Sequence, residues 1–372
     1  MGDLKIKPEH ILAALGQVQE PDLKQDLVSL NMIKDIVLGI GQVRFTVVLT
    51  TPACPLKEKI RKDCTEAIHQ YVDENLSVVI DMTADVTSTR MTNSAVLPQV
   101  KNIIAISSGK GGVGKSTVTA NLAVALHKMG AKVGIIDADI FGPSIPLMFG
   151  AEDLQPQVSV LNGRNMIQPI KQYGIQMMSI GFLTPADSAV VWRGPMASQA
   201  LRQFFNDTNW DELDYLLIDL PPGTSDIHLT LVQTVPVTGA VVVTTPQKVA
   251  LADATKGLMM FKQAQINVPI LGIIENMAYF TPEELPDNKY YIFGQDGGKN
   301  LAQKFETALL GQIPLVQSIR EAGDAGRPIA SDADSLTAQA FRDAAEALAR
   351  AVAIRNADFD KTTPSAIKTI NV

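Results

Sequence analysis

Residues 103–117 constrain this chain more than any other stretch. They read Ile103-Ile104-Ala105-Ile106-Ser107-Ser108-Gly109-Lys110-Gly111-Gly112-Val113-Gly114-Lys115-Ser116-Thr117. A β-branched apolar run ends in glycines, and a helical pattern carrying Leu122, Ala123 and Leu126 follows. Gly109, Gly114, Lys115 and Ser116 fall at the Gly-x-x-x-x-Gly-Lys-Ser spacing of a phosphate-binding loop set between strand and helix. Glycines let the backbone fold into a nest of N–H groups, and the helix N-terminus adds the positive end of its dipole. Lys115 is expected to reach the β- and γ-phosphates, and the Ser116 hydroxyl to ligate magnesium. A structural glycine turn is the alternative.

The rest of the composition narrows the class. At 372 residues the chain has room for two or three domains. Its 46% hydrophobic and 19% charged fractions are those of a globular protein. A net charge of −7 argues against sequence-independent binding to nucleic acid or anionic membranes. Two cysteines, Cys54 and Cys64, give no disulfide framework and suit a reducing cytoplasm. With the four histidines they show no zinc-ligand spacing. The N-terminus lacks the apolar core of a signal peptide, and no apolar run approaches the ~18–20 residues that span a bilayer. The tail from Asn356 does not read as a basic amphipathic membrane helix, so no membrane anchor is expected.

Periodicity divides the chain. A helix is expected over residues 8–20, strands over Ile33–Leu38 and Val43–Leu49, a helix from Leu56 to about Val72, and a strand over Ser77–Met82. Residues 1–84 therefore form a small α+β domain. A polar stretch over 85–99 reads as a linker. From residue 100 to 355, strands and helices alternate as in a doubly wound, mostly parallel α/β sheet. Strands are expected at 103–107, Lys132–Asp137, Ile175–Ser179, Tyr215–Asp219, Gly239–Thr244 and Ile270–Glu275, with a last helix over 335–354. Residues 356–372 read as a flexible tail.

Carboxylates at the ends of parallel strands face the crevice where ligands bind. Asp137-Ala138-Asp139 ends one apolar strand and Asp219 another, the latter followed by Leu220-Pro221-Pro222-Gly223-Thr224-Ser225-Asp226. Asp219 is placed to hold a magnesium-bound water. Gly223 lets a backbone N–H approach the γ-phosphate. Asp226 can instead cap the helix after it. Each carboxylate could also be an ordinary turn or cap residue.

With Lys110 after its first glycine, the loop resembles the deviant phosphate-binding loop of the partition, septum-placement and nitrogenase-iron-protein ATPases. That resemblance implies a homodimer in which Lys110 reaches the partner's nucleotide; alone, Lys110 is a solvated loop lysine. It also implies that Asp139 orients the attacking water and that Asp137 supports the magnesium shell. Segments Asp26 to Leu30 and Thr51-Pro52-Ala53-Cys54-Pro55 resemble the MIP18-like domain family of iron–sulfur cluster assembly. Cys54 falls where that family keeps its cysteine. A cysteine in the first turn of a helix would have a lowered thiol pKa, whereas a buried packing role is the other reading. Trp192-Arg193-Gly194-Pro195-Met196 and Glu275-Asn276-Met277 then narrow the resemblance to the Mrp/ApbC family of cluster-carrier ATPases.

The family resemblance implies ATP, Mg²⁺ and an iron–sulfur cluster as ligands, with Gly109 to Thr117 around the phosphates and Asn276 on the adenine. It implies slow ATP hydrolysis in cluster assembly or transfer, with assembly factors and client apoproteins as partners. One departure stands out. The family's Cys-x-x-Cys should follow Glu275-Asn276-Met277, but residues 278–293 contain neither cysteine nor histidine. Iron–sulfur clusters need thiolate ligands, occasionally with histidine. Two alternatives therefore stay open: a nucleotide-switched scaffold and a positioning ATPase, neither carrying a cluster.

Overall fold

The computed structural model describes residues 6–89, 96–140, 142–161, 163–183, 194–224, 226–282, 284–285, 287–332 and 335–362. Chain contacts divide it into Met1–Thr87 with Ala353–Val372, and Ser88–Val352.

The first unit runs α1 (Pro8–Leu15), β1 (Gln19–Glu20), β2 (Gln25–Asp26), β3 (Ile33–Gly39), β4 (Gln42–Leu49), α2 (Lys57–Tyr71) and β5 (Ser77–Ala84). β4 pairs antiparallel with β3 and parallel with β5, in register from Gln42↔Ser77 to Leu49↔Ala84. Its alternation puts Val43, Phe45, Val47 and Leu49 into a core with Ile11 and Leu15 of α1 and Ile60 and Ile68 of α2. The first helix stops short of residue 20. Gly16 is a poor helix former, and the Glu20 carboxylate accepts from the backbone N–H groups of Asp22 (2.8 Å) and Leu23 (2.6 Å). That local turn competes with helix.

α2 begins at Lys57, with Leu56 in the N-cap position, so Cys54 lies ahead of the first helical turn. Cys54 is half-buried against the core. Cys64, inside α2, is fully buried, and burial pushes its thiol up to about 12.

The second unit runs β6 (Val100–Ser108), α3 (Lys115–Lys128), β7 (Val133–Asp137), α4 (Ile145–Met148), β8 (Val158–Leu161), β9 (Arg164–Ile167), β10 (Ile170–Gln172), β11 (Ile175–Ser179) and α5 (Gly194–Asn206). It continues with β12 (Leu213–Asp219), α6 (Asp226–Thr234), β13 (Gly239–Thr244), α7 (Lys248–Phe261), β14 (Ile270–Glu275), α8 (Gly297–Phe305), β15 (Leu309–Gln312), α9 (Gln317–Asp324) and α10 (Leu336–Thr362). Among the described residues eight strands form one sheet in the order β10-β11-β7-β12-β6-β13-β14-β15. Every neighbouring pair is parallel except β10 with β11. β7 and β13 are buried at every position and β12 at all but Asp214, as expected of apolar runs covered on both faces.

The expected parallel strands are all present. The β8–β9 hairpin and the short β10, β15, α4 and α9 are additions, each too short for its periodicity to register. The last helix continues past residue 354 to Thr362, and Asn356 is buried, its amide donating to the Thr87 carbonyl (2.9 Å) within the first unit. Among the described residues no helix is long and apolar enough to cross a membrane.

The two thiols should be distinguishable. Iodoacetamide at pH 7.5 is expected to label Cys54 in the native protein and to reach Cys64 only after denaturation, as read by peptide mass spectrometry.

Candidate nucleotide site

The sheet's carboxyl edge collects the chemistry. β6, β7, β12 and β14 end at Ser108, Asp137, Asp219 and Glu275, so the segments following them converge on one crevice.

The loop after β6 turns back into α3 through Gly114, whose φ is +79°, a left-handed value that side chains rarely adopt. Gly109 is held by crowding instead. A Cβ there would overlap the α7 backbone at Asp253 and Ala254. The loop surrounds a cavity of about 190 Å³ whose walls include Lys110, Lys115, Ser116, Thr117 and Asp139.

Beneath the cradle lies a buried carboxylate. Asp219 is fully buried, and its partners come from the start of α3. Lys115 Nζ lies 2.9 Å from Oδ1, Thr119 Oγ1 donates to Oδ1 at 2.8 Å, and Ser116 Oγ donates to Oδ2 at 2.5 Å. A buried charge is tolerated when it is paired and hydrogen-bonded in this way. Lys115 Nζ also lies 3.7 Å from Asp139 Oδ2. Thr119 was not apparent from the motif, although its position four residues after Lys115 puts it on the same helix face.

Asp137 sits beside Asp219 in the β7–β12 register. Its oxygens are occupied: Oδ1 accepts from the Asp139 N–H (3.2 Å), and Oδ2 from the Ile145 N–H (3.2 Å) and Ser179 Oγ (3.1 Å). The side chain thus fastens both Asp139 and the start of α4. Burial, and then the neighbouring Asp219 charge, push its carboxyl up to about 8. Burial also raises Asp139, with the Lys115 ammonium opposing it.

Gly223 (φ +85°) donates its N–H to the Ser108 carbonyl at 2.9 Å, so that donor is engaged by the end of β6 and not aimed at the cradle. The Asn276 amide donates to the Val113 carbonyl at 2.9 Å and packs against Gly114, while its N–H holds the Thr244 carbonyl at 2.8 Å.

Asn276 also opens onto a second chamber of about 250 Å³, which shares Gly114, Thr117 and Met148 with the first. The sequence reading missed its far wall, Pro314 to Asp324. A clue was present in Ile313-Pro314 at the carboxyl end of β15, the same sheet edge as the rest. Trp192, Arg193, Phe141 and Ser225 lie outside the described residues. The donors at Ser116, Asp219 and Asp137 are hard oxygens, the set that suits Mg²⁺. Cys54 belongs to the first unit. Among the described residues no cluster of three or more His, Cys, Asp or Glu side chains is arranged to hold a metal ion.

Comparisons with known proteins agree with this geometry. Residues 99–349 match the NUBPL iron-transfer P-loop NTPase family, and residues 8–84 match a family described as iron–sulfur cluster assembly protein. An iron–sulfur cluster carrier protein of Synechocystis is 48% identical over 348 residues, covering 93% of this chain and 98% of its own. One from Escherichia coli K12 is 45% identical over 323 residues, covering 86% and 85%. A nucleotide-binding protein of Archaeoglobus fulgidus, solved with ADP, is 41% identical with a TM-score of 0.55, covering 64% of this chain and 91% of its own.

Two outcomes are expected. Lys115→Ala should weaken Mg-ATP binding ten- to a hundredfold, because a charge-assisted bond is worth roughly 1.5–3 kcal/mol; calorimetry checks this. The second concerns pH. Asp137 is raised from 3.8 to about 8 on folding, so the unfolded chain releases this proton first. The stability it contributes is complete below pH 4 and falls away as pH rises towards 8. In metal- and nucleotide-free protein, Tm should decline over that window, and Asp137→Asn should flatten the decline.

The chain belongs to the NUBPL iron-transfer P-loop NTPase family.

Proposed function

From that membership and the geometry of the cradle, we propose that the chain binds and slowly hydrolyses ATP, and that this cycle serves iron–sulfur cluster assembly or transfer to apoproteins. The observation that carries the reading is Lys115, Ser116 and Thr119 gathered on buried Asp219 beneath a glycine loop. In this reading Gly109 to Thr117 wrap the phosphates, with Lys115 on the β- and γ-oxygens. Ser116 and Asp219, supported by Asp137, would hold Mg²⁺, which neutralises phosphate charge when bound. Asp139 orients the attacking water or takes its proton. For Gly223 to reach the γ-phosphate, its N–H must leave the Ser108 carbonyl, which makes that loop sensitive to the phosphate.

The second chamber suits a purine. Asn276 spends its amide N–H on Val113, leaving its oxygen to accept from an exocyclic amine, which adenine has where guanine carries an acceptor. Lys110, half-exposed on the cradle wall, is the group we assign to a second subunit's nucleotide, so the working state is a homodimer.

The cluster is cargo, and its place differs from the family pattern. Residues 278–293 carry no thiolate; the segment is bridged at Phe280↔Tyr290, with the Lys289 ammonium 4.2 Å from the Tyr279 ring centre. Cys54 is the more accessible of the two thiols and is the ligand we assign. The cluster then needs further ligands from a partner, a second subunit or a small thiol. The cytoplasm, with assembly factors and apoproteins as partners, is the setting this implies. The thiol-free segment also favours a second reading, a nucleotide-switched scaffold that carries no cluster.

One experiment separates these. Wild type, Cys54→Ser and Asp139→Asn are reconstituted anaerobically with iron and sulfide, then followed for bound iron and for phosphate release from Mg-ATP. Labile iron–sulfur uptake lost in Cys54→Ser, with turnover lost in Asp139→Asn, supports the carrier. A stable four-iron cluster in Cys54→Ser removes Cys54 from the role, and hydrolysis with no cluster in any variant favours the scaffold.

A further inference from the structure

α9 forms one wall of the second chamber, yet none of its eight residues is buried. Ile319 turns an apolar side chain to the chamber beside Leu315 and Val316. The polar side chains of α9 are spent on one another. Arg320 Nη1 lies 2.9 Å from Asp324 Oδ2 and Nη2 3.1 Å from Glu321 Oε1, while Gln317 donates to Glu321. The helix is fastened just past its C-terminal end. There Gly326 lies so close to Gly150 that an added Cβ would stand 2.5 Å from the Gly150 Cα, and Tyr173 donates its hydroxyl to the Gly326 carbonyl at 3.1 Å. The helix rests on α4 and on the short turn at Ile329–Ser331, yet none of its residues is fully buried, and the chamber beside it is where further packing would lie.

Arg320 is the one cation among the described residues lining this chamber. Its side chain is 62% exposed, and ion pairs so exposed are worth about 0–1 kcal/mol. Little therefore opposes its exchange for a better contact. A guanidinium is planar and weakly hydrated, and it stacks on π faces.

We propose that Arg320 is a base-clamping residue: on nucleotide binding its guanidinium leaves Asp324 and Glu321 and lies over the face of the purine, which completes the packing of α9. The proposal rests on reading the second chamber as the base site. It assigns affinity for the base to α9 and affinity for the phosphates to the loop, two terms that can be measured apart.

The test compares sodium tripolyphosphate, Mg-ADP and Mg-ATP on the full chain by calorimetry, in wild type and Arg320→Ala. Stacked cation contacts predict a three- to thirtyfold loss of ADP and ATP affinity in the variant, with tripolyphosphate affinity unchanged as the check on folding. Hydrogen exchange should show ADP, and not tripolyphosphate, protecting amides 317–326. Wild-type nucleotide affinity in Arg320→Ala, or α9 amides unprotected by ADP, would overturn the clamp and leave the base site standing. Wild type binding ATP no more tightly than tripolyphosphate would overturn the base-site reading itself, and the clamp with it.

Discussion

The nucleotide site depends on one buried carboxylate. Asp219 ends a central strand with no exposed surface, and an unpaired charge there would be prohibitively costly. Lysine, serine and threonine from the start of α3 answer it. The same three contacts lock the helix to the strand, fix the direction in which the loop opens and put an ammonium at the cradle floor. Structure and chemistry share one set of bonds here, which limits how far either can vary alone. The second carboxylate, Asp137, occupies the adjacent register position, and two such groups side by side cannot both ionise cheaply.

Topology explains why four separate segments meet. Each parallel strand delivers its following loop to the same edge, and the order β7-β12-β6-β13-β14 brings the aspartates, the phosphate loop and Asn276 within reach of one ligand. Asp137 extends this further, because its hydrogen bonds to Asp139 and to the first residue of α4 join the cradle wall to the wall shared by both chambers.

Much of this was legible in the sequence because it rests on long patterns. The apolar runs Ile103–Ile106, Ile135–Ile136 and Leu216–Ile218 lead directly into the glycine loop and the two strand-end aspartates, so strand and loop are read together. The elements that escaped are short. α9 has eight residues and none of them is fully buried, so no long apolar stripe marks it. Ser179 and Thr119 look like ordinary strand and helix residues until the fold brings their hydroxyls to Asp137 and Asp219. Helix ends are read less finely than helix bodies: α2 begins at Lys57, which leaves Cys54 ahead of its first turn.

Glu275 shows how the nucleotide half is tied to the segment that departs from the family pattern. Its carboxylate is fully buried, accepting from the Gly298 N–H at 3.0 Å and from the Gln312 amide at 2.7 Å. Its neighbour Asn276 holds the loop carbonyl of Val113. The chain after Asn276 stays tied at its start, the Ala278 N–H to the Ile313 carbonyl and the Leu315 N–H to the Tyr279 carbonyl, and is tied again at Gly298 on Glu275, an excursion clamped where it starts and where it ends. Within it Leu285, Tyr290, Tyr291 and Ile292 are exposed. No thiolate is needed to sustain this arrangement, because the clamp consists of backbone N–H groups and amides on a carboxylate. Glu275 and Asn276 thus join this excursion to the phosphate loop through protein hydrogen bonds alone.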